Sequence, residues 1–338
     1  MNLLALEVLA TDASRPDFFR QFYVPSRLRG CSPLTPENHF AAIRGLAGFW
    51  QRQAAERAAQ PFTVRDWLAG GPDLVAQYLS GRGDLTAATR NKHLRHLAAV
   101  WNEFVRRKLV PDKLGLDQED ELLREPHCWL PDEYDRLLEL AGKKRGRIGD
   151  APAADWWLGL LLTDYNIGVR VSALMSIRTA DTDLTAGTVL VRAEAQKDKA
   201  DQLFTLLPQT IDALRRLRIE RLTRVFEEWP FDRSRMTGQH RRNCYRTLTA
   251  HLRALLVQAG LPETSKDLWH KVRRTFVTEI ARTAGEAVAQ SMAGHSTLAV
   301  TKRYIDKRRM ELPSAAALLR QPMLPMQMKL FTPEEQAG

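Results

Sequence analysis

Residues 268–306 read LWHKVRRTFVTEIARTAGEAVAQSMAGHSTLAVTKRYID. His270 and Arg273 stand three apart, so on a helix they share one face, and Val272, Phe276 and Ile280 supply the apolar stripe beside it. Gly285 punctuates that helix, Gly294-His295-Ser296 follows, and Tyr304 lies nine residues beyond His295. Singly, each has an ordinary explanation. A chain with eight histidines and abundant arginine contains a His-x-x-Arg pair by chance, a histidine after glycine caps helices, and a tyrosine packs half-buried. Their order gains meaning from two segments upstream. Residues 166–177, NIGVRVSALMSI, place Arg170 just after a glycine between two apolar helices, and QKDK at 196–199 places Lys197 in a turn between two strands.

The bulk composition narrows the setting. Hydrophobic content of 44% with 27% charged residues is that of a globular protein with proper cores, and 338 residues suffice for two domains. The net charge of +10 points to a polyanionic partner, because Lys and Arg gain affinity by displacing the counterions of a phosphate backbone. Cys31, Cys128 and Cys244 lack CxxC spacing, which argues against a disulfide framework and a zinc site and fits a reducing compartment. The start, MNLLALEVLATDASRPDFFRQF, carries acidic residues and no basic lead into an apolar run, so it does not read as a secretory signal. No apolar stretch approaches the roughly 20 residues of a membrane span. The expected location is cytoplasmic and nucleoid-associated, with no membrane, metal or cofactor.

The pattern from 33 to 110 is helical, after an N-terminal extension at 1–32. Phe40, Ile43, Leu46 and Trp50 form one stripe, a second helix begins at Thr63-Val-Arg-Asp-Trp, and a short third at Asp73. A fourth opens on a Thr cap and carries Leu94, Leu97, Val100, Trp101 and Phe104. Its other face holds Arg90, Lys92, Arg95, Arg106, Arg107 and Lys108, a solvated surface or a DNA-facing one. His93-x-x-His96 on this helix has no acidic or Cys companion for a metal, and reads as DNA-facing or solvent-exposed. Residues 111–125, polar, acidic and proline-bounded, read as a linker. Beyond it, WLPDEYDRLLELAGKK is a helix with an acidic first turn and basic end, and DWWLGLLLTDYNIG a buried one. GTVLVRAEA and LFTLLP are strands of a hairpin, and from Ile211 the pattern is helical to the end, punctuated at Gly260-Leu-Pro and Gly285. The fold class is therefore mainly α with a small β-hairpin or sheet. Residues 215–246 are rich in Arg and include Trp229 and Tyr245. Arg241 and Arg242 in this run join Arg90, Lys92 and Arg95 as DNA-backbone candidates.

Taken in order, NIGVRVSALMSI, the hairpin lysine, HKVRRTF and GHS…Tyr304 resemble the catalytic domain of the tyrosine recombinases, the family of phage integrases and chromosome-dimer resolvases. Its members read TGLRxSELLxL, a hairpin Lys, HxLRHTFAT and LGHSSxxTTxxYxH. The resemblance is close over 170–310, and 33–110 looks like the family's core-binding domain. It implies a two-domain DNA clamp with a catalytic domain at 126–313 and a tail at 314–338. It also implies Arg170 and Arg273 as the two arginines, Lys197 as the hairpin lysine, His270 and His295 as the histidines, and Tyr304 as the nucleophile. Double-stranded DNA, a homotetramer on two sites and an accessory DNA-bending protein are the partners it suggests, and Leu312–Leu319 would dock on a neighbouring protomer. Three departures stand out. Ala173 occupies the position, three after the first arginine, that is usually acidic. Arg274 stands where His is common. The longer hairpin leaves Lys199 as an alternative to Lys197.

The chemistry of phosphodiester transfer asks for this inventory. Attack at phosphorus builds charge on the nonbridging oxygens, which two always-ionised guanidinium groups can clamp. A tyrosine hydroxyl, with a free pKa of about 10, is both a fair nucleophile and a fair leaving group. The departing 5′-oxygen needs a proton, the expected task of Lys197. His270 is expected to handle protons or orient the tyrosine, and His295 to donate to the phosphate. A type IB topoisomerase or telomere resolvase would use the same residues on other DNA. A DNA-binding protein that has lost catalysis is the reading Ala173 favours.

Overall fold

The computed structural model describes residues 8–10, 18–32, 34–122, 125–226 and 238–310, with side chains left aside at 8–10 and 238–243. The expected tail at 314–338, including Leu312–Leu319, lies outside the described residues, as do Trp229 and the middle of the basic run. The chain divides into two compact units, residues 1–123 and 124–338.

The first unit is helical. β1 (Val8–Ala10) precedes α1 (Val24–Arg27) and α2 (Leu34–Arg52). β2 (Phe62–Thr63), antiparallel to β1, leads into α3 (Val64–Ser80) and α4 (Ala87–Arg106). Phe40, Ile43, Leu46 and Trp50 of α2 and Leu94, Leu97, Val100, Trp101 and Phe104 of α4 are buried, as their spacing predicts. Thr63 caps α3 through a reciprocal box with Asp66, each side chain accepting the other's backbone N–H. The second and third helices expected here are the two halves of α3, which meet at a break at Gly71-Pro72, where Gly71 has the non-helical φ 57° and ψ −155°.

Both ends of this unit differ from expectation. Phe18, Phe19 and Tyr23, assigned to an extension, are buried in its core, because α2 and α4 leave an aromatic face that Phe18 and Phe19 cover. The acidic segment read as a linker is fastened to α4 over much of its length. Trp101 Nε1 donates to Asp112 O at 2.9 Å, Leu114 is buried, and Asn91 donates to Glu119 O and accepts from Glu119 N.

The second unit starts with α5 (Pro131–Gly142), a short hairpin of β3 (Arg147–Ile148) and β4 (Ala151–Pro152), and α6 (Ala153–Ile167). α7 (Val171–Leu174) precedes an antiparallel sheet in the order β5 (Thr182–Asp183), β6 (Thr188–Val191), β7 (Gln202–Thr205). α8 (Pro208–Arg216), α9 (Gly238–Gln258), α10 (Trp269–Ala284), α11 (Glu286–Ala293) and α12 (Leu298–Lys302) follow. α6 is apolar nearly all round and packs against α5, α8 and α10, which is why it carries no polar stripe. In the sheet, Val189 faces Phe204 and both are buried, while Leu203 on the opposite face is exposed. The helical run expected from Ile211 breaks after α8. Arg218 turns left-handed, Arg178 and Arg224 form a bridge, and Val225 and Phe226 enter the core, Phe226 edge-on to Trp156. Burial of two large apolar side chains, about 1.5–3 kcal/mol each, outweighs the helical preference of that segment. Among the described residues no helix is long and apolar enough to cross a membrane.

Candidate active site

α6 ends at Gly168, whose φ of 56° is left-handed and whose missing side chain leaves room for Phe276: a Cβ there would lie 2.2 Å from the ring. The turn aims the Gly168 carbonyl at α10, where it accepts from Arg273 Nη1 at 2.6 Å. Arg273 is buried, with 3% of its surface exposed, and its Nη2 donates to Ala293 O and to His295 Nε2, the latter at 3.1 Å.

That last contact settles the protonation of His295. Arginine has no acceptor, so Nε2 must be the acceptor, and the ring proton sits on Nδ1, which donates to Thr301 Oγ1 at 3.1 Å. Burial, then Arg273 and Arg170, push the imidazole pKa down to about 4, so it is neutral at pH 7. Sequence reasoning expected His295 to donate to phosphate; in this structure its Nε2 lone pair accepts from Arg273. Gly294, at φ 60°, starts the turn that delivers this histidine. A Cβ on it would stand 2.3 Å from the Asp198 carboxylate of the β6–β7 loop.

Tyr304 follows α12. Its ring centroid is 4.7 Å from that of His295, and Arg273 Cζ is 5.7 Å from the tyrosine centroid. Thr278 of α10 holds the tyrosine's backbone from both sides: its hydroxyl donates to Tyr304 O at 3.3 Å and accepts from Asp306 N at 3.0 Å. Asp306 is buried and takes the Cys128 N–H and an Arg308 pair. Burial alone would raise its pKa, but these donors outweigh it and hold the carboxyl at about 2.

Arg170 caps α7 two residues after Gly168, half-buried, and among the described residues its guanidinium has no hydrogen-bond partner. Its charge reaches Arg273, His270 and His295, lowering the pKa of each. His270 lies at the start of α10 with its surface exposed, and desolvation by the surrounding protein, followed by Arg274, Arg273 and Arg170, holds its pKa below the ordinary 6.5. The structure thus gathers Arg170, His270, Arg273, His295 and Tyr304.

Lys197 and Lys199 are both exposed on the β6–β7 loop, and neither has a hydrogen-bond or ion-pair partner among the described residues. The loop is tied to the site by Gln202 Nε2, which donates to Ser291 O at 3.1 Å, and Asp198 between the lysines borders an open cavity of about 400 Å³ with Gln290, Gly294 and His295. No contact chooses between the two.

The basic candidates of the first unit have intrachain partners. Arg90 forms a two-pronged pair with Glu119 at 2.7 and 2.6 Å, Arg95 donates to Gln118 at 2.6 Å, and Lys92 to Asn38 at 2.8 Å. Arg106 and Arg107, with Arg27, surround the buried Glu103. His93 and His96 are half-buried and engage aromatic neighbours. His93 Nδ1 is 2.8 Å from Tyr78 OH, and His96 stacks on His39 at 4.2 Å. Arg241 and Arg242 fall within α9, but their side chains lie outside the description. No group of three or more metal-ligating side chains occurs among the described residues. Sequence reasoning missed Thr278, Thr301 and Asp164. Only Asp164, an acid inside the apolar run DWWLGLLLTDYNIG, left a visible signal.

The pattern of the phage integrase family matches residues 130–311. The chain is 30% identical over 260 residues to the tyrosine recombinase XerA of Thermococcus kodakarensis, covering 72% of this chain and 84% of the relative. It is 26% identical over 229 residues to the tyrosine recombinase XerC of Bacillus licheniformis, covering 65% and 70%. Among solved structures, the XerH recombinase in a post-cleavage complex with a palindromic difH substrate matches with TM-score 0.63 at 17% identity, over 88% of this chain and 83% of that one. A lambda integrase dimer bound to a COC′ core site matches with TM-score 0.60 at 16% identity, over 87% and 96%. The fold is that of the two-domain tyrosine recombinases, and this chain belongs to the phage integrase family of DNA recombinases.

Proposed function

We propose that the protein is a site-specific recombinase that cleaves and rejoins double-stranded DNA through a 3′-phosphotyrosine at Tyr304. The observation that carries this reading is the convergence of a buried, triply anchored Arg273 with Arg170, His270, His295 and Tyr304. Two guanidinium groups side by side repel each other, and an anion between them removes that repulsion. A nonbridging phosphate oxygen is the anion that fits, and bidentate clamping stabilises the charge that grows at phosphorus.

Tyr304 Oη attacks phosphorus, the bond to the 5′-oxygen breaks, and the phosphate passes to the tyrosine. His270, neutral at pH 7 because its pKa is lowered, accepts the phenolic proton. Lys197 gives a proton to the 5′-oxygen, with Lys199 as the alternative. His295 holds Arg273 in register, and Thr278 fixes the tyrosine's backbone. The ester bond energy is kept in the phosphotyrosine, so the reverse attack by a 5′-hydroxyl rejoins DNA without ATP or a metal.

A homotetramer on two sites is the assembly proposed, by likeness to a lambda integrase tetramer bound to a Holliday junction, TM-score 0.59. Backbone phosphate contacts would supply affinity and a few base contacts specificity. The test is trapping on a nicked suicide substrate taken from the ends of the element beside the gene. A denaturation-resistant adduct that Tyr304→Phe abolishes supports the reading. Specific DNA binding with no adduct favours a DNA-binding protein that has lost catalysis, and the topology of the products separates recombination from relaxation or end closure.

A further inference from the structure

Two buried polar groups at the junction of α6 and α10 lack hydrogen-bond partners among the described residues: both carboxyl oxygens of Asp164, and Nε of Arg273. Asp164 is 1% exposed, inside a helix that is otherwise apolar. Buried polar groups are nearly always paired, so two orphans on packed helices call for an explanation. The residues that carry them are linked through Gly168, by the backbone carbonyl of Asp164 rather than its carboxyl group. Asp164 O accepts from Gly168 N at 2.8 Å, and Gly168 O accepts from Arg273 Nη1 at 2.6 Å.

A count of donors shows what is missing. A guanidinium has five N–H groups. Nη1 commits one to Gly168 O, and Nη2 commits two to Ala293 O and His295 Nε2, all neutral acceptors. The Nε–H and one Nη1–H remain, and the Tyr304 side chain is the further hydrogen-bonding group that favours the charged guanidinium. Nε is buried, so an incoming phosphate does not reach it from solvent. Arg273 thus has no anionic hydrogen-bond partner, while the charge of Arg170 acts against it. Asp164 favours the charged form of Arg273, and Arg273 is the charged group that favours ionised Asp164. At Ala173, three residues after Arg170, the chain offers only a buried methyl group.

We infer that Asp164 is a positioning residue for phosphoryl transfer: its carboxylate holds Arg273 from the Nε edge and leaves the outer guanidinium edge to Tyr304 and the scissile phosphate. The inference rests on the recombinase reading. Burial raises the Asp164 pKa well above the ordinary value, so its carboxylate fraction, and the support it gives, grows with pH. The titratable groups facing it are Arg273 from α10 and Tyr134 from α5, whose hydroxyl donates to Leu161 O, with Tyr165 next along α6.

The test compares wild type with Asp164→Asn and Asp164→Ala in the full chain. Three quantities are measured: thermal unfolding, affinity for the target site, and the single-turnover rate of adduct formation on the nicked substrate from pH 6 to 9. Both variants should fold, bind DNA within about threefold of wild type, and form adduct about 10–100-fold more slowly at the alkaline end. The wild-type to Asn ratio should shrink as pH falls through the Asp164 pKa, because the protonated acid then resembles the amide. Titration of His270 is common to both proteins and cancels in the ratio. An Asn variant as fast as wild type throughout, or slower by a factor independent of pH, overturns the inference and leaves the recombinase reading standing. A wild type that forms no adduct defeats both.

Discussion

Arg273 Nη2 and His295 Nε2 are joined at 3.1 Å, and because only the histidine can accept, one contact sets the tautomer, the charge and the task of His295. The imidazole lone pair thereby faces the guanidinium beside it.

Replacing His295 by Ala removes that contact and the ring packed against Tyr304. Adduct formation should fall about 10²–10³-fold, the scale of losing one preorganised electrostatic contact. Site binding, measured by gel shift, should change little. A loss confined to binding contradicts the assignment.

The same residue gives the protein a pH signature. Its folded pKa is about 4 against an unfolded value near 6.5, so the unfolded chain binds a proton that the native state refuses. Its contribution is fully present above pH 6.5 and is lost as pH falls toward 4, on the order of 2 kcal/mol after discounting for solvent screening. Urea unfolding across that range should show the loss, and His295→Gln should reduce its slope.

Gly168→Ala meets both a left-handed backbone and the Phe276 ring. Destabilisation of about 2–4 kcal/mol is expected in denaturant melts, from backbone strain and overpacking together. Unchanged stability would show that α6 and α10 can separate without loss.

Thr278→Val keeps the shape and deletes the hydroxyl that spans Tyr304 O and Asp306 N. The turn carrying the nucleophile loosens, so adduct formation should slow about tenfold while stability falls by roughly 1–2 kcal/mol. Equal rates in a single-turnover assay would remove Thr278 from the positioning of the tyrosine.

On the first unit, Arg90 is committed to Glu119, whereas Lys92 has only a neutral acceptor in Asn38. Lys92→Ala should lower the slope of log affinity against log salt by about one, the mark of a lost phosphate contact. Arg90→Ala should leave that slope alone and loosen the 112–121 segment instead. The opposite pattern would show that DNA displaces Glu119.

Local pattern was enough for α2 and α4, for the helix start at Thr63, for the Thr86 cap and for the β6–β7 pairing, and it named the side chains proposed for the site. Periodicity and capping act over a few residues, and the chemistry of phosphoryl transfer restricts which side chains can serve. Whatever depended on distant partners was decided only in three dimensions. Residues 18–23 joined the first core and 112–121 closed over α4, because apolar rings and an Asn amide found mates far along the chain. Val225 and Phe226 left the expected helix for the second core. The tautomer of His295 was set because Arg273, twenty-two residues earlier, presents an N–H to it. Asp164, one odd letter in an apolar helix, gained a meaning only when α10 set an unpaired guanidinium nitrogen within its electrostatic reach. Sequence names the groups, and burial decides which must answer each other, since a buried donor or charge is tolerated only beside its counterpart.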